Sequence, residues 1–221
     1  MPHTLTITDV ADVTHNVKRL RVEKPAGYTF EPGQATEVAI DKDGWREEWR
    51  PFTFTALNDQ PYLEFVIKIY PSHDGVTEQI GMLQKGDRLI LDEPWGTIRY
   101  KGKGCFIAGG AGVTPFIAII RDLQAKGELA GNTLVFSNKQ EQDIILREEF
   151  EAANGLNCIF TVTDEPSSDL LSDRIDKSFL QAQVGNFDQN FYLCGPPPMI
   201  EDVSEALKQL GANVDSITFE E

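Results

Sequence analysis

The spacing of apolar residues changes near Lys103, and that change limits the folds open to this chain. Before it, short stretches alternate apolar with polar residues: TLTIT, VKRLRVE, ATEVAI, LEFVIKIY and RLILD, divided by PAG, EPGQ, LNDQP and KGD. Period-two alternation punctuated by Gly, Pro and Asn predicts antiparallel strands with one buried face. A small β-barrel closes such strands without leaving exposed edges. One helical interruption, GVTEQIGMLQ, runs from Gly75 to Gln84. After Lys103 the apolar runs become almost continuous (CFIAG, TLVFS, NCIFTVT, NFYLC, VDSITF). They alternate with the helical segments PFIAIIRDLQAK, LREEFEAAN, KSFLQAQV and PPMIEDVSEALKQLG. Strands buried on both faces and separated by helices predict a parallel, doubly wound sheet. The predicted fold is an antiparallel β-barrel over residues 1–101 followed by a five-stranded parallel α/β domain over residues 102–221, joined near Gly102–Gly104.

Charge narrows the partners. The chain carries 35 acidic against 20 basic side chains, a net −15, so its average field repels nucleic acid and anionic membrane surfaces, and neither is expected as a partner. Arg99, Lys101 and Lys103 in TIRYKGKG form a local exception, read either as a solvated hairpin or as a docking patch. The cysteines Cys105, Cys158 and Cys194 are far apart and form no C-x-x-C pair, so no metal site is expected. Sparse cysteines fit a reducing compartment. The start MPHTLTITDV has neither a basic opening nor a long apolar core, which leads to the expectation of a cytoplasmic protein, a monomer or weak oligomer.

The segment GGAGVTPF leads from the first parallel strand into a helix. Glycine permits positive φ and close approach of a ligand, while a new helix presents free N–H groups and a positive dipole end to an anion. Gly110, Ala111, Gly112, Val113, Thr114 and Pro115 are therefore candidates for holding a pyrophosphate, with the proline tolerated in the first helical turn. A purely structural glycine turn is the alternative. The second parallel strand ends in Ser137, Asn138 and Lys139. The lysine suits a ribose 2′-phosphate or is an ordinary surface residue, which leaves NADPH and NADH both open.

Two further segments, EWRPFTFTAL and LCGPPPMI, complete a pattern. With R-P-F-T at 50–53, G-A-G-V-T-P at 110–115, C-G-P-P-P-M at 194–199 and PGQ at 32–34, the chain resembles the ferredoxin-NADP reductase family over nearly its full length. The resemblance implies FAD, rather than FMN, in the barrel and NADPH or NADH as co-substrate. It implies that Arg50 binds a flavin phosphate and that Thr53 lies near flavin N5, with Pro51 and Phe52 between them. Phe52 replaces a common tyrosine and keeps only ring packing. Backbone amides of Ile67, Lys68 and Ile69 are expected along the flavin, and Gly75, Val76 and Thr77 at its phosphates; Thr77 as the cap of a plain turn is the alternative. Cys194 is implied to position the nicotinamide, Gly195, Pro196 and Pro197 to form a rigid turn, and Met199 to pack within it. Cys105 and Cys158 are read as plain core residues.

Family members end in an acid near the redox centre and an aromatic over the flavin. Here Glu220 matches the acid, while Glu221 stands where the aromatic belongs. The implied activity passes hydride from NAD(P)H to FAD and then single electrons to a separate acceptor, a small acidic ferredoxin or flavodoxin, because these residues include no cluster cysteines or haem domain. Thr53, Cys194 and Glu220 are the expected catalytic residues. Docking of an acidic carrier needs a local basic face, for which TIRYKGKG and Lys18, Arg19 and Arg21 are candidates. A reductase of free flavins or quinones, and a non-turnover electron-transfer or redox-sensing subunit, are the alternatives.

Overall fold

The computed structural model describes residues 2–71, 74–96, 98–165 and 169–220, apart from the side chains of Ser216, Phe219 and Glu220. The chain separates into two compact units. Met1–Arg99 and Thr114–Asp122 form the first, and Tyr100–Val113 and Leu123–Glu221 the second.

In the first unit, β1 (His3–Thr14), β2 (Val17–Glu23), β3 (Ala35–Ile40), β4 (Arg50–Thr53), β5 (Tyr62–Lys68) and β6 (Arg88–Leu91) form an antiparallel sheet in the order β4-β3-β6-β1-β2-β5. The ends meet where Phe54, just beyond β4, bridges Phe65 in β5, with Thr55 N donating to Glu64 O at 2.9 Å. That bridge closes the predicted barrel. The long β1 pairs with β6 at its start and with β2 beyond, and register shifts near Thr8 and Val13 let one strand serve both neighbours. Alternation has the expected result: Leu20, Val22, Leu63, Phe65, Ile67, Leu89 and Leu91 point inward. Phe54 is fully buried against Tyr28, Phe30 and Phe65. The predicted helical interruption is shorter than its pattern, α1 (Val76–Gly81), and its Val76 and Ile80 enter the core. β4 is four residues long and contains a proline, so the alternation that follows Arg50 is too short to mark it as a strand.

The second unit contains β7 (Gly104–Gly109), β8 (Asn132–Asn138), β9 (Leu156–Val162), β10 (Asn190–Cys194) and β11 (Ile217–Glu220), all parallel, in the order β11-β10-β7-β8-β9. The five predicted strands are these. The helix α2 (Thr114–Lys126) follows β7, with its first nine residues assigned to the first unit. α3 (Arg147–Ala152), α4 (Lys177–Gln183) and α5 (Pro197–Gln209) complete the set. One sheet face, with Cys105, Ile107, Val135, Phe191 and Leu193, packs on Phe179 and Leu180 of α4 and Val203 and Leu207 of α5. On the other, Phe136 meets Phe150 of α3 edge to face. Both faces are thus covered, which is why these strands read as continuous apolar runs.

Among the described residues of TIRYKGKG there is no hairpin: Ile98 to Lys103 lie outside any strand. Tyr100 stacks near Phe106 and Tyr192, while the Tyr192 hydroxyl donates to Gly102 O at 2.7 Å and accepts from Lys101 N at 2.8 Å. The second basic candidate is also altered. Lys18 pairs with Asp12 at 3.0 Å, Arg19 with Asp9 at 2.8 Å and Arg21 with Glu64 at 2.8 Å, so these three cations are locally neutralised rather than presented as a basic face.

Candidate nucleotide and flavin sites

In the second unit the chain runs outward from β7 through β8 to β9, then returns to the other side of β7 for β10 and β11. The reversal falls between β7 and β10, and the carboxyl ends of strands at such a reversal form the ligand crevice of doubly wound sheets. Both unusual motifs of this unit emerge there: GAGVTP after β7 and CGPPPM at the end of β10.

The two motifs interlock through their glycines. A Cβ on Gly112 would overlap the Cys194 carbonyl oxygen and lie 2.7 Å from Gly195 N. One on Gly109 would lie 2.7 Å from Met199 Sδ and 2.9 Å from Pro196 Cδ, and one on Gly195 would lie 2.7 Å from Met199 Cε. Met199 is thus packed within the turn. Gly110 differs: its φ is +53°, but open space surrounds the position of a Cβ. Gly109, Gly112 and Gly195 serve motif-to-motif packing, whereas Gly110 turns the backbone beside open space. Gly110–Val113 is a single 3₁₀ turn and α2 follows from Thr114, with Pro115 in its first turn and buried, as the proline reading requires.

Ser137 lies beside Gly109 in the β7–β8 register, which brings the end of β8 next to the glycine turn. Asn138 is only 6% exposed, and its side-chain Oδ1 and Nδ2 have no hydrogen-bond partner among the described residues. An orphaned buried amide at a strand's carboxyl end is costly unless a ligand or water pairs with it. Lys139 is exposed, and acids crowd the following loop. Arg147 is held by Glu141 and by Glu151 (2.8 Å), which raise its pKa, and Glu165 accepts from Glu141 N at 2.6 Å.

The barrel candidates divide differently. Arg50 is half exposed; it donates to Trp49 O at 2.6 Å and stands 3.6 Å from the equally exposed Glu48, a pairing an anionic ligand could replace. Pro51 is exposed, Phe52 packs against the barrel core and Thr53 is half-buried. Ile69 N donates to Asn16 O at 2.8 Å. Strand parity therefore turns the amides of Ile67 and Ile69 toward β2 and leaves that of Lys68 on the other edge. Two of the three expected flavin-facing amides are thus engaged within the barrel. Gly75, not Thr77, is the N-cap of α1; Thr77 is its second residue, and Val76 is turned into the core. Cys105 is fully buried and burial pushes its thiol up to about 12, consistent with a core role. Cys158 is half-buried rather than core, its sulfur donating to Phe150 O at 3.4 Å. Cys194 is half-buried at the end of β10, in register with Ala108 on one side and Glu220 on the other. The side chains of Glu220 and Phe219, and all of Glu221, lie outside the described residues.

The Oxidoreductase FAD-binding domain family matches residues 4–100, and the Oxidoreductase NAD-binding domain family matches residues 106–205. NADH-cytochrome b5 reductase 1 of Homo sapiens is 30% identical over 89% of this chain and 78% of its own length. The chain belongs to the ferredoxin-NADP reductase and cytochrome b5 reductase family. It is an FAD- and NAD(P)-binding oxidoreductase. The propane 2-monooxygenase reductase component of Rhodococcus jostii is 27% identical over 97% of this chain, which spans 62% of that relative's length. A ferredoxin NADP+ reductase from Neisseria gonorrhoeae, solved with bound FAD and NADP, shares the fold at TM-score 0.86 and 18% identity, covering 99% of this chain and 98% of that one. The cytochrome b5 reductase domain of Ulva prolifera nitrate reductase does so at TM-score 0.86 and 21% identity, covering 100% and 97%.

The residues of each unit fit these cofactors. The open space at Gly110 and the orphaned Asn138 amide suit a dinucleotide, and the exposed Arg50 guanidinium at one end of β4, with the half-buried Thr53 at the other, suits a flavin phosphate and ring. Sequence reasoning missed Thr55, Glu64 and Arg121. Glu64 Oε1 accepts from Arg121 Nη1 at 2.8 Å and from Thr55 Oγ1 at 3.0 Å, while Oε2 accepts from Arg21 Nε at 2.8 Å. Burial alone would raise its pKa, but the hydrogen bonds and charge of Arg121 and Arg21, with the Thr55 bond, hold it below its usual value. The available signal was a glutamate inside LEFVIKIY and an arginine inside PFIAIIRDLQ.

Proposed function

We propose that this oxidoreductase takes hydride from NAD(P)H onto FAD and delivers single electrons to a separate small acidic carrier protein, a ferredoxin or flavodoxin. FAD is assigned to residues 1–101 and the dinucleotide to residues 102–221. The observation that carries the reading is the interlock of GAGVTP with CGPPPM at the sheet's reversal point, with open space at Gly110. When bound, the flavin converts a two-electron donor's hydride into single-electron steps. In this reading Arg50 holds the flavin phosphate and Thr53 contributes a hydroxyl at the redox nitrogen. The turn 110–115 receives the pyrophosphate, Ser137 and Asn138 meet the ribose, and Cys194, backed by Gly112, positions the nicotinamide. Glu220 supplies a carboxylate near the redox centre, by resemblance alone.

NADH is the preferred donor in this reading. The Arg147 guanidinium at the start of α3, the helix after β8, is neutralised by Glu141 and Glu151, and acids follow Lys139, so the segment after β8 offers a 2′-phosphate little net positive charge. A cytochrome b5-type haem carrier is a second acceptor reading, favoured by relatives at 30% identity that are named NADH-cytochrome b5 reductases. Among the described residues no helix is long and apolar enough to cross a membrane; a cytoplasmic location is part of the proposal.

The deciding experiment is the visible spectrum of the purified protein followed by anaerobic titration with NADH and NADPH, then turnover with ferredoxin, flavodoxin, cytochrome b5 and free flavin. Yellow protein bleached by NADH and reoxidised by one of the carriers is expected. Colourless protein that takes up no added FAD would overturn the reading. Turnover with free flavin or quinone alone would replace the carrier assignment, and negligible NADH oxidation without a copurified partner would favour an electron-transfer subunit.

A further inference from the structure

The helix that follows the glycine turn belongs partly to the barrel. Residues 114–122 of α2 cluster with the first unit, although the NAD-binding domain match includes them. A buried polar joint holds them there. Arg121 Nη1 donates to Glu64 Oε1 and to Thr55 O, each at 2.8 Å. Glu64 is 2% exposed in β5, and Thr55, fully buried, follows the Arg50–Thr53 strand by two residues. Two residues earlier in α2, Ile119 Cδ1 would lie 3.1 Å from a Cβ on Gly33, whose φ of +99° sets the PGQ turn.

We infer that Arg121 is a positioning residue, tying the first two turns of α2 to the strand that carries Arg50 and Thr53. The inference rests on the proposed function for its consequence in turnover. An apolar pair of similar volume would serve adhesion as well as a buried ion pair, because desolvation offsets much of the Coulomb attraction. What one nitrogen shared between a carboxylate and a carbonyl adds is direction: it fixes both the rotation of α2 and its travel along its axis. Arg21 remains on the other carboxylate oxygen, so Glu64 keeps a charged partner when Arg121 is replaced. The substitution therefore loosens the helix without stranding the acid. Because Thr114 and Pro115 are both the start of α2 and the last two residues of the proposed phosphate-binding segment, rotation or sliding of α2 displaces the end of that segment.

Hydrogen exchange and anaerobic stopped-flow reduction of Arg121→Met and Arg121→Lys test the assignment. In Arg121→Met, flavin content and spectrum should match wild type, while amides of residues 114–122 exchange faster. The limiting rate of flavin reduction by NADH should fall roughly tenfold to a hundredfold, the usual result of a small misplacement remote from the chemistry. Arg121→Lys should recover part of both. A lower melting temperature with unchanged exchange in 114–122 and an unchanged limiting rate would mean that Arg121 only stabilises the fold, and the inference would be wrong. If Arg121→Met does not fold, Arg121→Lys is judged by the same two readouts. Exchange is measured without cofactor as well, so a wild-type protein that takes no flavin would refute the proposed function while leaving the placement of α2 decided separately.

Discussion

Gly112 stands against the peptide that joins Cys194 to Gly195, so close that a Cβ at 112 would lie 2.5 Å from the Cys194 carbonyl carbon. The obstacle is backbone, not a movable side chain, so Gly112→Ala must displace one motif from the other at a cost of about 1–3 kcal/mol. NADH binding should weaken with it. Gly110 provides the contrast, since its constraint is a positive φ in open space. Asn tolerates that region, so Gly110→Asn should melt close to wild type while binding NADH less well. Thermal melts and NADH titrations of both variants check the pair; equal melting temperatures would contradict the packing argument.

Arg50 is expected to act on flavin retention and little on folding. Its present partner, Glu48, is as exposed as the guanidinium itself, and exposed pairs contribute little to stability. A charge-assisted bond to a phosphate contributes more, so Arg50→Ala should lose about 1.5–3 kcal/mol of FAD affinity, roughly 10–150-fold. Flavin occupancy after dialysis and isothermal titration with FAD measure this. Wild-type occupancy in the variant would remove Arg50 from the site.

The architecture was legible because it rests on period. Alternation marked β1, β2, β3, β5 and β6, and uninterrupted apolar runs marked the parallel strands, since each pattern follows directly from how many faces a strand buries. The short β4 was legible only in part: an apolar alternation follows Arg50, but four residues that include Pro51 are too few to mark a strand by period. The glycine and CGPPPM motifs were visible as separate segments, but their interlock depends on strand order, which no local spacing carries. Glu64 and Arg121 were hidden for a related reason. A charge in an apolar run signals either exposure or pairing, and the partner that decides lies 57 residues away. Likewise Lys18, Arg19 and Arg21 read as a basic face until cross-strand acids were placed beside them.

Glu64 makes part of the protein's stability dependent on acid. Burial would raise its pKa, yet the bonds and charge from Arg121 and Arg21 outweigh this and leave the folded value below the ordinary one. A depressed carboxyl pKa contributes stability that is present above the unfolded value, about 4.3, and is lost as pH falls through the folded value. Glu64→Gln should therefore be less stable than wild type at pH 7, by roughly 3 kcal/mol, because the guanidiniums lose their counter-charge. The gap should narrow as pH drops below about 4. Urea unfolding of both proteins from pH 3 to 7 tests the sign; a gap that widened on acidification would show that the carboxylate is not the favoured form.

The three thiols should separate by reactivity. Burial pushes Cys105 up to about 12, and burial together with the nearby Glu151 charge pushes Cys158 to about 11. Since the thiolate is the nucleophile, both are almost wholly protonated at pH 8, and Cys105 is also out of reach of solvent. With a chromogenic disulfide at that pH, Cys105 should react only as fast as the protein unfolds, and Cys158 slowly. Denaturant should release all three. Cys194, half-buried at the mouth of the β7–β10 reversal, is the position where bound NADH should change the labelling rate if the nicotinamide rests there. Cys194→Ser then separates position from sulfur chemistry. A positioning role requires slower hydride transfer with flavin retained, whereas an unchanged rate together with NADH-independent labelling would leave Cys194 as packing for Gly112 and nothing more.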